Sequence, residues 1–313
     1  MKKILVLGSG GQIGSELTMR LREIYGGSNV VATDINPARL TEAIQQSGPI
    51  AACDATKAEE IAAIVDKYQI DTIYNLVAIL SATAEKNPML GWNIGIGALI
   101  NCLEIAREKK CALFTPSSIG AFGDTTPQDT IQRPKTIYGV TKVTGELLGD
   151  YYFERFGVDA RSVRFPGLIS NVCPPGGGTT DYAVDIYYAA VKGEQFSCPL
   201  KKGTMLDMMY MPDALDAAIN IMEADPTKLI HRNSFNVTAM HFDPEEIYAE
   251  IRKHKPDFKM IYELDETRQK IADSWPNWMD DSCARAEWGF APKFDLQSMT
   301  VDMLDKLSKK FGK

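Results

Sequence analysis

Ile4-Leu-Val-Leu7, followed at once by Gly8-Ser-Gly-Gly11-Gln-Ile-Gly14, is the stretch that decides the fold. The first four residues are a short unbroken apolar run, the pattern of a strand covered on both faces. The segment from Gln12 to Tyr25 reads as a helix. Between them, Gly8, Gly11 and Gly14 fit a GxxGxxG spacing. The first glycine permits the tight turn, the second lets a phosphate approach the backbone, and the third lets the helix pack on the strand. Such a turn presents helix N-terminal amides to a pyrophosphate. A glycine triplet alone also fits an ordinary tight turn. Here a second strand, Val30-Val-Ala-Thr33, ends at Asp34, twenty residues past Gly14. A carboxylate at that place bonds the adenosine ribose hydroxyls and repels a 2′-phosphate, which selects NAD over NADP. Gly8, Gly11, Gln12, Ile13, Gly14 and Asp34 are therefore candidate cofactor residues.

Working outward, strand and helix patterns alternate. A helix is expected over Lys57–Tyr68, a strand over Asp71–Val77, and a long helix over Pro88–Lys109 with proline at its start. A strand follows at Ala112–Thr115, then a helix over Tyr138–Phe156 and a sixth strand over Ala160–Phe165. This alternation predicts an α/β fold with a doubly wound parallel sheet. After Pro166 the pattern changes. Residues 171–180, Asn-Val-Cys-Pro-Pro-Gly-Gly-Gly-Thr-Thr, are too rich in Pro and Gly for a regular element and read as a functional loop. Shorter elements follow: a helix from about Thr180, strands near Met205–Met211 and Ser234–Val237, and helices near Asp213–Met222 and Asp243–His254. The expected division is a dinucleotide-binding domain over residues 1–170, to which later segments return, and a smaller α/β substrate-binding lobe over 171–313.

Composition narrows the function. Of the 313 residues, 45% are apolar and 24% charged, as in an ordinary globular protein. The formal net charge is -7, and no basic block is present, which argues against nucleic acid as a partner. The six cysteines form no CxxC pair and read as buried reduced thiols. His231, His241 and His254 make no metal-ligand spacing with one another or with a cysteine, so no metal site is expected. No leader segment and no run long and apolar enough to span a membrane are read, and a cytoplasmic protein is expected.

Tyr138-Gly-Val-Thr-Lys142 carries the chemistry. On a helix this spacing puts a phenol and an ammonium on one face, one turn apart. The ammonium favours the phenolate, which makes Tyr138 a candidate base for an alcohol. Ser117 and Ser118 end a strand at its carboxyl edge, where a hydroxyl can hold the same alcohol oxygen. Asp54, after Ile50-Ala-Ala-Cys53, reads equally as a partner of the adenine amino group or as a helix cap. Asn75 to Ala78, including Leu76 and Ala78, end a strand where ligands bind in open α/β sheets.

Taken together, Gly8, Gly11, Gly14, Asp34, Asp54, Asn93, Ser118, Tyr138, Lys142 and Arg164-Phe-Pro-Gly167 resemble the extended branch of the short-chain dehydrogenase/reductase superfamily. The resemblance implies that Tyr138 is the base, that Lys142 binds the nicotinamide ribose and favours the phenolate, and that Ser118, rather than Ser117, orients the reacting oxygen. It adds Asn93 and Pro166 to the cofactor set. That branch commonly handles nucleotide sugars. Here, however, Leu206 stands where an arginine commonly grips the diphosphate, and leucine cannot supply that bidentate contact.

Several stretches instead resemble the short-chain L-threonine 3-dehydrogenases. They are Leu76-Val-Ala-Ile-Leu-Ser81, Thr115-Pro-Ser-Ser-Ile-Gly-Ala-Phe-Gly123, Arg164 to Ser170, Pro175-Gly-Gly-Gly-Thr-Thr-Asp-Tyr-Ala183 and Asp273-Ser-Trp-Pro276. The resemblance implies NAD-dependent oxidation of the L-threonine hydroxyl to L-2-amino-3-oxobutyrate. Ser81, Thr179 and Thr180 would then donate to the substrate carboxylate, Asp181 would face its ammonium, and Trp275 would close a lid. Ser117, Ser118 and Tyr138 complete the expected substrate set. Helix capping explains Thr179-Thr180-Asp181 equally simply, and core packing explains Trp275. The rival readings are a nucleotide-sugar epimerase or dehydratase and a nonenzymatic NAD-binding regulatory or scaffold protein. Apolar faces on the helices over 88–109 and 138–156 lead to the expectation of a homodimer.

Overall fold

Alternate residues of the first strand face opposite ways, and each set finds its own core. The computed structural model describes residues 1–122, 129–174 and 176–312. Gly123 and Pro175, each at the edge of a stretch quoted above, lie outside the described residues. Along the first half the order is β1 (Ile4–Leu7), α1 (Gln12–Tyr25), β2 (Val30–Asp34), α2 (Glu42–Ser47), β3 (Ile50–Ala52), α3 (Ala58–Tyr68), β4 (Thr72–Asn75), α4 (Ser81–Lys86), α5 (Pro88–Lys109), β5 (Ala112–Phe114), β6 (Ser117–Ser118) and α6 (Ile137–Phe156). There follow β7 (Ala160–Arg161), β8 (Val163–Phe165), β9 (Gly167–Ile169), α7 (Tyr182–Lys192), β10 (Phe196–Cys198), β11 (Leu206–Tyr210), α8 (Met211–Glu223), β12 (Phe235–Asn236), β13 (Met240–Phe242), α9 (Pro244–Arg252), β14 (Met260–Tyr262), α10 (Glu266–Ala272), α11 (Ser282–Trp288) and α12 (Leu296–Phe311).

Six strands pair in parallel in the order β3-β2-β1-β4-β5-β7. Ile4, Val6 and Tyr74 share a core with Leu17 and Leu21 of α1 and Ala214, Ala218 and Ile221 of α8. Leu5, Leu7 and Ile73 share the other with Ile61 and Ile64 of α3 and Leu99 and Leu103 of α5. Helices thus cover both faces, and the expected doubly wound α/β architecture is present. A third core gathers α7, α9 and α12 over β11. There β11 pairs in parallel with β9 and antiparallel with β13.

The expected sixth strand is two strands. β7 stays beside β5, but β8 leaves the main sheet to pair with β6 and β12. The break falls at Ser162, whose hydroxyl donates to Asn233 Oδ1 at 2.5 Å and accepts the Ser234 amide at 3.0 Å. Those partners lie about seventy residues away in the chain, where no local pattern reveals them.

The expectation that no segment is long and apolar enough to cross a membrane fails for α5. Its 22 residues pass that test by length and composition. The physical reason is its position: one face lies on the sheet core and another lies along α6, so apolar residues occupy both.

At the glycine-rich turn the backbone leaves β1 with Gly8 at φ +85°, in the left-handed region that favours glycine. A Cβ on Gly14 would stand 2.0 Å from the Gly8 carbonyl oxygen, so helix and turn touch backbone to backbone. Replacing Gly14 with alanine must push α1 off the turn. We expect Gly14→Ala to fold with a lowered melting temperature and to weaken NAD binding by about tenfold or more, as displacing the pyrophosphate amides requires. Isothermal titration with NAD checks this, and unchanged affinity would remove the turn from the cofactor site.

Candidate active site

A cleft of about 730 Å³ opens at the carboxyl ends of the parallel strands. The glycine-rich turn, Leu76, Ala78, Ser81, Ser117, Ser118, Tyr138, Lys142, Pro166, Thr179, Thr180, Asp181 and Trp275 all line it. Most of the residues singled out from sequence therefore meet in one place.

At the cofactor end, Gly11 is the N-cap of α1 and offers no side chain, and no acidic residue enters the first turn, so the free amides there face an anion without competition. Gln12 Nε2 is buried without a hydrogen-bond partner, although Gln12 lines the cleft. A donor in that state fits a bound phosphate oxygen. Asp34 ends β2, with Oδ2 accepting the Gly10 amide and Oδ1 accepting the Asn36 amide, both at 3.1 Å. Arg39, which sequence reading passed over, also lines the cleft and packs beside Asp34 near Gly10. These features fit a dinucleotide.

Three cofactor candidates lie outside the lining residues: Asp34, whose bonds are given above, and two others. The Asp54 carboxylate bonds the Thr56 amide at 3.0 Å and its hydroxyl at 2.6 Å, which closes the turn into α3. Asn93 is exposed on α5.

The reacting groups are placed by α6. Thr136 caps this helix by accepting the Gly139 amide at 3.0 Å, so Tyr138 falls in the first turn and Lys142 in the second. The Lys142 ammonium donates to the Pro116 carbonyl at 2.7 Å and lies 5.3 Å from the centre of the Tyr138 ring. Ser118 accepts the Gly120 amide at 3.1 Å, which leaves its own O–H free to donate. Gly120 shows how closely the set converges. A Cβ there would lie 3.3 Å from the Tyr138 ring, 3.4 Å from Trp275 Nε1 and 3.5 Å from Ser118 Oγ. The indole Nε1 of Trp275 is buried and unpartnered.

Ser117 differs from its neighbour. Its hydroxyl donates to Glu146, a residue not singled out from sequence. Glu146 is buried, accepts Gln132 Nε2 at 2.7 Å and pairs with Arg164 through bonds of 2.9 and 2.8 Å. The signal was available: Tyr138, Lys142 and Glu146 stand at i, i+4 and i+8 on one helix face. Behind Lys142, a small void of about 30 Å³ is lined by Thr115, Ser117, Thr141 and Glu146, room for about one water.

At the far end, the Ser81 and Thr179 hydroxyls lie 3.4 Å apart and are buried. Asp181 Oδ2 accepts the Gly177 and Gly178 amides at 2.8 and 2.7 Å, so this carboxylate does order the loop. Burial pushes its pKa up, against those two bonds. Leu206 is 1% exposed inside β11 and does not reach the cleft. The loop is anchored to α1. Ser170 donates to Glu16, the Val172 amide donates to Ser170 Oγ at 3.0 Å, and Cys173 Sγ lies 3.0 Å from Ser15 Oγ.

Comparison with known proteins places the chain in a family. The model of the NAD dependent epimerase/dehydratase family matches residues 4–237. An uncharacterised epimerase/dehydratase of Staphylococcus saprophyticus is 54% identical over 99% of this chain and 98% of its own length. The crystal structure of an L-threonine dehydrogenase from Clostridium difficile is 55% identical, covers 99% of this chain and 98% of its own, and superposes with a TM-score of 0.95. A monomeric L-threonine 3-dehydrogenase of metagenomic origin is 42% identical over 98% of this chain and 99% of its own, with a TM-score of 0.92.

The buried anchor of the loop gives a pH signature. Burial raises the Glu16 pKa to about 7, only partly opposed by Ser170, Lys306 and Lys310. A carboxyl raised in the folded state contributes stability that is complete below its unfolded pKa and is lost as pH rises through the folded value. We expect urea midpoints to fall between roughly pH 5 and 8, and Glu16→Gln, which stays neutral, to show a shallower fall. Some decline should remain, because Asp207 is raised to about 7 by burial in the same way. Parallel profiles for variant and wild type would place the Glu16 carboxyl in water.

Proposed function

Because this chain belongs to the NAD dependent epimerase/dehydratase family, we propose that it binds NAD in the cleft and oxidises L-threonine at its side-chain hydroxyl, giving L-2-amino-3-oxobutyrate. The observation that carries this reading is the full-length likeness to an L-threonine dehydrogenase at 55% identity, joined to a far end of the cleft built from short polar side chains. A nucleotide sugar calls for a cation at its diphosphate. β11 sends no cation to the cleft, since its Leu206 is apolar and buried.

In this reading the Tyr138 phenolate takes the hydroxyl proton of threonine, and the Lys142 ammonium one turn along holds the negative form in place. Ser118 donates to the same oxygen and fixes its position. The nicotinamide, when bound, supplies the hydride acceptor for the hydrogen on threonine C3. Ser81, Thr179 and Thr180 bond the substrate carboxylate, the free oxygen of Asp181 meets the ammonium, and Trp275 Nε1 adds a donor at the same wall. Arg39 and Gln12 join the cofactor contacts. Proton removal is assigned wholly to the phenolate, so the reaction as written calls for no metal.

Purified protein supplied with NAD should form NADH with L-threonine and not with UDP-glucose or UDP-galactose. Tyr138→Phe should lower turnover by about 100-fold or more, the scale of a lost general base, while NAD binding persists. Turnover of the Phe variant at the wild-type rate would remove Tyr138 from the chemistry, and NADH from a nucleotide sugar alone would overturn the substrate assignment.

We also propose a homodimer through α5 and α6. Leu147 and Tyr151, one turn apart on α6, are 63% and 53% exposed, and Met89 and Leu90 of α5 are exposed as well. A face of this kind is buried when two copies meet about a twofold axis. Light scattering at micromolar concentration should give twice the chain mass, and Leu147→Glu with Tyr151→Glu should give the chain mass. A monomeric wild type, as described for the metagenomic relative, would end this proposal.

A further inference from the structure

Away from the cleft, folding joins side chains that sequence spacing keeps apart. Cys283 and Glu287 lie one turn apart on α11. His231 comes to them from the segment between α8 and β12. One ligand atom from each, a ring nitrogen, Sγ and a carboxylate oxygen, lies within 4.8 Å of the other two, and all three residues are partly buried. His231 and Cys283, which show no metal-ligand spacing in the sequence, are brought together by a contact made at long range. We propose that His231, Cys283 and Glu287 bind one Zn²⁺ ion, with water as the fourth ligand.

The donor set comes first. Imidazole, thiolate and carboxylate are zinc ligands, whereas magnesium and calcium take oxygen almost alone. The carboxylate is already oriented. Glu287 Oε2 accepts the Ile230 amide at 2.6 Å and the His231 amide at 3.0 Å, so the segment carrying the histidine fixes the glutamate. Its other oxygen, Oε1, faces His231 Nδ1.

The imidazole supplies the second reason. Its Nε2 lies 3.4 Å from an Asp129 carboxylate oxygen, while its Nδ1 faces Glu287. A neutral imidazole has one N–H. If Asp129 accepts it, the Nδ1 lone pair points at a carboxylate, and a positive charge must lie between them. A second proton meets that need at the present separation, and a metal ion meets it once the imidazole and carboxylate part to admit bonds of about 2 Å to each. A carboxylate on the outer nitrogen is the usual support of a metal-bound histidine.

The thiol separates the two occupants. The charges facing Cys283 are the carboxylates of Glu287, Asp129 and Asp280. They gather negative charge around the sulfur, which favours a divalent cation there, and the thiol proton would leave to solvent as the metal–sulfur bond forms. The ion would clip residues 230–231 to α11. Asn233 and Ser234, just beyond, bond the Glu146 carbonyl and Ser162, so the clip steadies the strand that left the main sheet. None of the three ligands lines the cleft, and the inference stands apart from the threonine reading.

The test uses the full-length protein, stripped with chelator and titrated with Co²⁺. One equivalent should give an intense thiolate-to-cobalt absorption that Zn²⁺ abolishes. Cys283→Ala should lose the band, and His231→Ala should bind about tenfold or more weakly, as loss of a ligand requires. Since His231→Ala also breaks an ion pair, a second measurement uses the wild type alone. Zn²⁺ should slow alkylation of Cys283 about tenfold, mapped by mass spectrometry, and leave Cys173 unaffected. A missing cobalt–thiolate band, a band that survives Cys283→Ala, or unchanged alkylation of Cys283 would overturn the site and leave a protonated His231–Glu287 pair in its place.

Discussion

The buried ion pair between Glu146 and Arg164 ties the reacting helix to the sheet. Glu146 sits two turns beyond Tyr138 on α6, and Arg164 sits on β8. Two bonds of 2.9 and 2.8 Å join them, and Arg164 also donates to Asn236 on β12 at 3.1 Å. The carboxylate holds the Ser117 hydroxyl as well. One charge pair thus fixes the helix bearing Tyr138 and Lys142, the strand bearing Ser118, and the segment returning from residue 235. Two charges taken out of water are tolerable only when paired and fully bonded; stranding one costs about 3–5 kcal/mol. That penalty makes alternative placements of α6 unfavourable, so the pair acts as a register key for the site.

What was legible in the sequence follows from the range of each interaction. The buried strand β1, the glycine turn and α1 are read from neighbours in the chain, and so are the limits of α5, which its starting proline marks. Tyr138 and Lys142 are legible because helical spacing is a local rule. Asp34 is legible because one strand–helix–strand unit has a fixed length. The split of residues 160–165 into two strands depends on Asn233 and Ser234, and the cluster of His231 with Cys283 and Glu287 depends on chain separations of about fifty residues. No period of 2 or 3.6 carries such information.

Some residues answer to two readings, and the geometry leaves room for both. Asp181 receives two loop amides on one oxygen, which is capping, and still lines the cleft. Ser118 caps the short turn at residues 119–121 with its lone pair and keeps its proton for another acceptor. Ser117 resolves the other way, since its hydroxyl already donates to Glu146. Adjacent residues on a strand face opposite sides, so one serine meets the buried carboxylate and the next turns toward Gly120, beside the Tyr138 ring.

The loop at residues 171–178 belongs mechanically to both ends of the cleft. Its first residues hang on α1 through Ser15 and Glu16, in the turn that follows the pyrophosphate amides. Its last residues are ordered by Asp181, beside Thr179 and Thr180. From the far side Lys310 of α12 donates to the Val172 carbonyl at 2.8 Å, and Asn171 donates to the Tyr210 hydroxyl on β11. In the proposed reading, a phosphate at the start of α1 and a carboxylate at Thr179 would therefore meet one strap at opposite ends. Were the strap to close over either ligand, it would order residues that the other is proposed to touch, and the ordering entropy lost to the first would not be lost again to the second. On that reading, favourable coupling between dinucleotide and small substrate would follow from chain connectivity through the strap.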